Sequence, residues 1–258
     1  MRAGLALVAA SLAAAACAPA ASEQPEQGAA VAAILPDMPR QKVVLMSSLP
    51  LVYGAGVDMA GVIAGQAEPH PLHEALAAAH DLILPDALDA AALEGVRLVI
   101  LVQPRAFAPA ELVALDDHVR SGGRLLLFAD PQLDWPHGIG LADPRGPLRS
   151  SLISPLLAYW GLELQNPGIE SVRLGKSGVL LVHPGQFAVL QGKSGDGLCR
   201  IDSVAAVARC RVGQGRAVIV ADADLLDPEI LENPAQSGPA NRRFVRDLLS
   251  ELTQEESG

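Results

Sequence analysis

The stretch Leu98–Pro131, LVILVQPRAFAPAELVALDDHVRSGGRLLLFADP, decides the fold. Two apolar runs, Leu98–Val102 and Arg124–Phe128, are too short for helices and rich enough in Val, Ile and Leu for strands buried on both faces. Between them Pro109 suits a first helical position, and Leu112, Leu115 and Val119 recur at helical spacing. Glu111, Asp116, Asp117 and Arg120 are then expected to face outward. Gly122 and Gly123 supply the left-handed stop that a helix C-terminus takes. A strand, a helix and a strand of these lengths make a right-handed parallel crossover. The pattern predicts an α/β fold with a doubly wound, mostly parallel sheet.

Working outward from this unit, KVVLMS (Lys42–Ser47) reads as the first, central strand and Asp81–Leu84 as a short second one. Helical pieces are expected over Asp58–Gly65 and Leu72–His80, kept apart by Pro69 and Pro71, and over Asp86–Leu93 with Asp86 as cap. After Pro131 a long loop, Gln132–Gly146, precedes a helix predicted over Leu148–Trp160. Residues 169–212 read as a small inserted antiparallel sheet, Arg216–Ala221 returns as a buried strand, and Phe244, Val245, Leu248, Leu249 and Leu252 mark a closing helix. One folded domain is expected over residues 41–253.

Several of these motifs carry a resemblance. A strand ending in Gln103-Pro104, a helix with Glu111, Leu115 and Asp116, and then Ser121-Gly-Gly-Arg-Leu-Leu-Leu-Phe-Ala-Asp-Pro131 form the first segment. Gly213-Gln-Gly-Arg-Ala-Val-Ile-Val-Ala-Asp-Ala-Asp-Leu-Leu226, followed by Asn241-Arg-Arg-Phe-Val245, forms the second. Together they resemble the auxiliary domain of gliding-motility (GldG)-type ABC transport systems. The resemblance implies a flavodoxin-like fold of the class I glutamine amidotransferase-like superfamily. It also implies membrane subunits of an ABC transport system as partners.

The beginning of the chain bears on compartment. Arg2 and the apolar run Leu5–Ala16 have the form of a secretory signal, and Cys17 follows Ala14-Ala15-Ala16 where a lipoprotein signal places its acylated cysteine. Residues 1–17 are therefore expected to be a lipoprotein-type signal peptide, with ordinary cleavage near Ala20 or Ala21 as the alternative. Residues 18–40, rich in Ala, Pro, Glu and Gln, are expected to form a flexible tether to the envelope membrane. Export leaves Cys199 and Cys210 as a pair in an oxidising compartment, both in extended segments, and a disulfide between them is expected.

With Lys+Arg 19 against Asp+Glu 29, a net charge of -10, and positive side chains scattered along the chain, no nucleic-acid partner is expected. No nucleophile elbow follows the strand ending at Phe128. Gly54-Ala-Gly56 lacks the third glycine of a nucleotide-binding turn, so neither catalytic residue nor cofactor is expected. The remaining polar constellation lies where strands end: Ser47 and Ser48 after the first, Asp130 after the fourth, Asp222 and Asp224 after the last, and Asp134, His137 and Asp143 in the long loop. Such groups can bind a ligand at the C-terminal edge of a parallel sheet. They can equally cap helices and hold loops. His70, His73 and His80 are irregularly spaced and expected on the surface, with no metal site.

Three functions stay open on this reading. The first is an exported, lipid-anchored, non-catalytic binding or scaffold domain of the kind the resemblance implies. The second is a hydrolase using the acidic edge, with or without a metal; the third is a small-ligand receptor.

Overall fold

The computed structural model describes residues 34–54, 57, 59–135, 146–190, 197–233, 235 and 237–254. Within it, β1 (Lys42–Ser47), β2 (Asp81–Ile83), β3 (Leu98–Val102) and β4 (Arg124–Phe128) are followed by the short strands β5 (Leu162–Gln165), β6 (Ser171–Leu174), β7 (Val179–Val182) and β8 (Gln186–Val189). β9 (Gly197–Ile201), β10 (Val207–Val212) and β11 (Gly215–Val220) complete the set. The main sheet has seven strands in the order β2-β1-β3-β4-β11-β10-β9. Its first five are parallel, and β10 and β9 extend it antiparallel.

The helices are α1 (Met59–Ile63), α2 (Pro71–Ala79), α3 (Pro109–Arg120), α4 (Ser154–Tyr159), α5 (Pro228–Leu231) and α6 (Gly238–Thr253). Both faces of the sheet are covered, because successive side chains of each strand point to opposite sides. Val43, Leu45, Ile100, Val102, Leu126, Phe128, Val218 and Val220 pack with Leu72 and Leu76 of α2 and Val245, Leu248 and Leu249 of α6. Val44, Met46, Val99, Leu101, Leu125, Leu127, Ala217 and Ile219 pack with Leu115 and Val119 of α3 and Leu156 and Leu157 of α4. The continuous apolar strands of the sequence are thus buried on two sides.

β1 lies second from the edge, and the central place belongs to β4. The stretch 169–212 does not form one inserted sheet. β6 and β7 make a hairpin and β5 pairs with β8, while β9 and β10 continue the main sheet through the pairing of β10 with β11. Ile34 is fully buried against the first of the two clusters, so the folded unit is already under way there.

Two predicted helices are corrected. Residues 86–93 form no helix: Leu88 N–H donates to Glu111 Oε1, Ala92 N–H to Asp89 Oδ1, and the Asp86 carbonyl accepts from Arg105, which commits this backbone to turns. The helix expected from Leu148 begins only at Ser154, because the backbone before it is committed elsewhere: Leu133 N–H donates to the Arg149 carbonyl and Ser151 N–H donates to the Asp130 carbonyl, and Pro155 then sits in the first turn, where its missing N–H costs no helical bond.

Two residues expected to face outward on α3 are buried. Glu111 binds both Nη atoms of Arg105 and the Ala108 N–H, and its carboxyl is held down at about 2, chiefly by Arg105. Asp116 accepts from Trp160 Nε1 at 2.7 Å and from Arg120 Nε at 2.7 Å. No described helix is long and apolar enough to cross a membrane.

Candidate functional site

At the C-terminal edge of the parallel strands one buried polar chain crosses from β1 to β11. Ser48 begins it: its N–H and Oγ both donate to the carbonyl of Gln103, the residue after β3. Gln103 is fully buried and has a positive φ of 41°, a backbone conformation few side chains adopt. Its side-chain amide pairs with the backbone of Asp130: Asp130 N–H donates to Oε1 at 2.9 Å, and Nε2 donates to the Asp130 carbonyl at 3.1 Å. Nε2 also donates to the Leu148 carbonyl at 2.9 Å. Asp130, at the end of β4, then accepts from Gln132 N–H on Oδ1 and from Ala223 N–H on Oδ2, reaching across to the end of β11.

The two aspartates after β11 continue outward. Asp222 accepts from Val182 N–H of the β6–β7 hairpin at 2.6 Å and from Leu225 N–H at 2.8 Å. Asp224 Oδ2 accepts from Asp134 N–H, while its Oδ1 is buried without a hydrogen-bond partner. Asn241 of α6 clamps the same hairpin by accepting from Leu180 N–H and donating to the Leu180 and Leu225 carbonyls.

Desolvation sets the electrostatics here. Burial pushes the Asp130 carboxyl up to about 6, against the pull of its amide donors. Burial, and then the charge of Asp130, pushes Asp224 up to about 8 and raises Asp222 as well. Carboxyls so displaced are the kind that acid–base sites use. Here, however, five of the six carboxylate oxygens accept main-chain N–H groups, so the dominant work of the cluster is to hold together three segments, the loop after β4, the end of β7 and the loop after β11.

The predicted site residues therefore divide. Ser48, Asp130, Asp222, Asp224 and the backbone of Asp134 belong to one network. Ser47 stands aside, its Oγ accepting from Leu49 N–H. The Asp134 side chain is exposed and lies 3.7 Å from Arg149. His137, Asp143 and Cys17 lie outside the described residues. Gln103 and Asn241 were missed as network members, although Gln103-Pro104 and Asn241 both sit in the motifs that carried the resemblance. Among the described residues no group of three or more His, Cys, Asp or Glu is arranged to hold a metal ion.

The histidines expected on the surface are not there. His70 and His80 are 3% and 2% exposed, and His73 is half-buried. Burial pushes His70 down to about 4, while its Nε2 meets the Leu226 carbonyl at 2.7 Å and Nδ1 accepts from Leu72 N–H. Beside it lies a cleft of about 310 Å³ lined by Pro50, Glu68, His70, Trp135 and Glu232. Ser47, Ser48 and the aspartates are not among its lining residues.

The disulfide Cys199–Cys210 is present, with Cα atoms 4.0 Å apart, joining directly opposed residues of β9 and β10.

The family described as an ABC-type uncharacterized transport system matches residues 40–169. No curated protein matches the chain. Among solved structures, the chain is similar to the exo-beta-1,4-mannosidase Op5Man5 from Opitutaceae bacterium strain TAV5, at 14% identity and a TM-score of 0.44 over 85% of this chain and 37% of that one. It is also similar to the cytoplasmic protein STM1381 from Salmonella typhimurium LT2, at 10% identity and a TM-score of 0.43 over 83% of this chain and 100% of that one. The chain thus spans little more than a third of the mannosidase.

Proposed function

Because the chain belongs to the family of ABC-type uncharacterized transport systems, we propose that it is a non-catalytic accessory domain that is exported and held at the envelope by a lipid on Cys17. Residues 1–17 serve as the signal, the following segment as far as the buried Ile34 as the tether, and the α/β unit as the binding or scaffold part. The observation that carries this reading is the family match over residues 40–169, joined to an acidic sheet edge whose carboxylates are occupied by main-chain amides. The parallel order β2-β1-β3-β4-β11 is the 2-1-3-4-5 order of flavodoxin-like sheets and supports the superfamily placement.

In this reading the membrane subunits of the transport system come from other chains. Chemical cross-linking of the full chain in native envelopes tests this. Membrane subunits of an ABC system are expected among the products, and recovery of soluble or outer-membrane partners alone overturns the reading. Incorporation of a labelled fatty acid that is lost in Cys17→Ser tests the anchor.

A hydrolase acting from the acidic edge is the second reading, favoured by the unpartnered Oδ1 of Asp224 beside Asp130. Stoichiometric divalent metal in purified full-length protein, lost in Asp224→Asn, would favour it over the scaffold.

A further inference from the structure

The positive side chains that are scattered in sequence are gathered in space. Arg209 and Arg211, two apart on β10, share one sheet face. Arg200 of β9 stands opposite Arg209, and Arg216 of β11 opposite Arg211. All four line a groove of about 600 Å³, bounded on the far side by Glu251 and Leu252 at the C-terminal end of α6. α6 packs over β4 and β11 and leaves the arginine face of β10 and β9 beyond it.

We propose that this groove binds a phosphate-bearing anion. Three observations carry it. Strand neighbours are about 4.8 Å apart and alternate residues about 6.7 Å apart, so side chains from Arg200, Arg209, Arg211 and Arg216 can close on one oxyanion group from several directions. All four are arginines, whose planar forks donate two parallel hydrogen bonds to a phosphate oxygen pair. And the chain as a whole carries a charge of -10, so a face with four cations is a local reversal of its field rather than a share of general basicity.

Like charges opposed across antiparallel strands repel, and the arrangement occurs twice side by side. Glu251 offsets the repulsion at Arg209, accepting from its Nε at 2.7 and 2.8 Å. The disulfide, on the opposite face between the same two strands, fixes the register that sets Arg200 against Arg209. This inference does not depend on the accessory role proposed above.

The test is calorimetric titration of the full chain with inorganic pyrophosphate, run beside flotation with phosphatidylglycerol vesicles and phosphatidylcholine controls. Binding is expected to weaken as salt rises and to fall about tenfold or more in Arg200→Gln, Arg211→Gln, since each lost charge-assisted bond accounts for a factor of that order. Both side chains are exposed, so the fold is expected to survive. Glu251→Gln removes the carboxylate facing the arginines and is expected to tighten binding, a gain that misfolding cannot produce. Pyrophosphate binding with this pattern assigns a soluble phosphate ester. Vesicle binding with this pattern and no pyrophosphate signal assigns a lipid headgroup. No binding to either, or binding unchanged in the double variant, overturns the proposal.

Discussion

The side-chain amide of Gln103 and the main chain of Asp130 are paired head to head, Asp130 N–H to Oε1 at 2.9 Å and Nε2 to the Asp130 carbonyl at 3.1 Å, across the ends of β3 and β4. The pair does what the next rung of the ladder would have done had both strands continued. It lets β3 stop at a positive-φ residue while its neighbour turns away toward Pro131. Gln103→Glu keeps the shape but replaces a donor with an acceptor facing the Asp130 and Leu148 carbonyls. It is expected to destabilise by about 3 kcal/mol, from buried carbonyls left without a donor and a carboxylate placed against them. A urea midpoint shift with unchanged slope checks this.

Asp224 gives the fold a pH dependence of definite sign. Its carboxyl, ordinarily near 3.8, is raised to about 8, so the native state holds a proton there that the unfolded chain has lost. Stability from this group is full below pH 3.8 and declines as pH rises toward 8, by up to about 1.4 kcal/mol per unit for one proton. Asp130, raised to about 6, adds to the same slope below pH 6. His70 acts oppositely: lowered to about 4, it stabilises above 6.5 and its contribution is lost as pH falls from 6.5 through 4. The window from pH 6.5 to 8 therefore isolates the aspartates after β11. Thermal melts are expected to fall across it, and Asp224→Asn, which keeps an acceptor for Asp134 N–H, is expected to melt higher at pH 8 and to show a flatter profile.

How far the sequence reaches is visible in two places. The strands of Leu98–Val102 and Arg124–Phe128 and the helix between them lie where the apolar spacing put them, because burial on both faces writes a continuous signal. The same spacing misplaced Glu111 and Asp116: a charged residue is read as exposed unless its partner is known, and the partners, Arg105 bent back from the preceding loop and Trp160 forty-four residues on, follow no helical period. Asp130, Asp222 and Asp224 were legible as a group at the sheet edge. What they bind there, the amides of Val182, Ala223 and Leu225, depends on where the β6–β7 hairpin docks. The arginine face was illegible for a related reason. Its members come from three strands whose register only the folded sheet defines.

Gly215 tests the junction between the β10–β11 turn and α3. A Cβ at this position would overlap the Val119 carbonyl oxygen at the end of that helix, while Gln214 N–H donates to the Arg120 carbonyl at 2.9 Å beside it. The obstacle is backbone on both sides, so no side chain can move to make room. Gly215→Ala is expected to destabilise by about 3 kcal/mol or more through forced displacement of the turn. A control at Gly122, where an added Cβ meets nothing within 4 Å but φ is 110°, isolates conformational strain from collision. Gly215 has no positive φ, so its variant reports the collision while the Gly122 variant reports the strain, and denaturation of the two sets one cost beside the other.

The Cys199–Cys210 bridge closes a loop of eleven residues' separation between an edge strand and its neighbour in the main sheet, rather than clamping a separate insertion. In the chain-entropy account a loop of this size stabilises by about 3 kcal/mol. The consequence of losing it is local, because among the described residues β9 pairs on one side only and Cys210 alone of the two is fully buried. In a Cys199→Ser, Cys210→Ser double variant, amide exchange is expected to accelerate first in β9 and the outer half of β10, while β3, β4 and β11, buried on both faces, keep protection close to that of the intact protein. Thiol counting on denatured, unreduced material from the envelope is expected to find no free thiol at either position. Uniform loss of protection across the whole sheet in the variant would show that the edge and the parallel core unfold as one unit, and that the bridge holds the entire sheet.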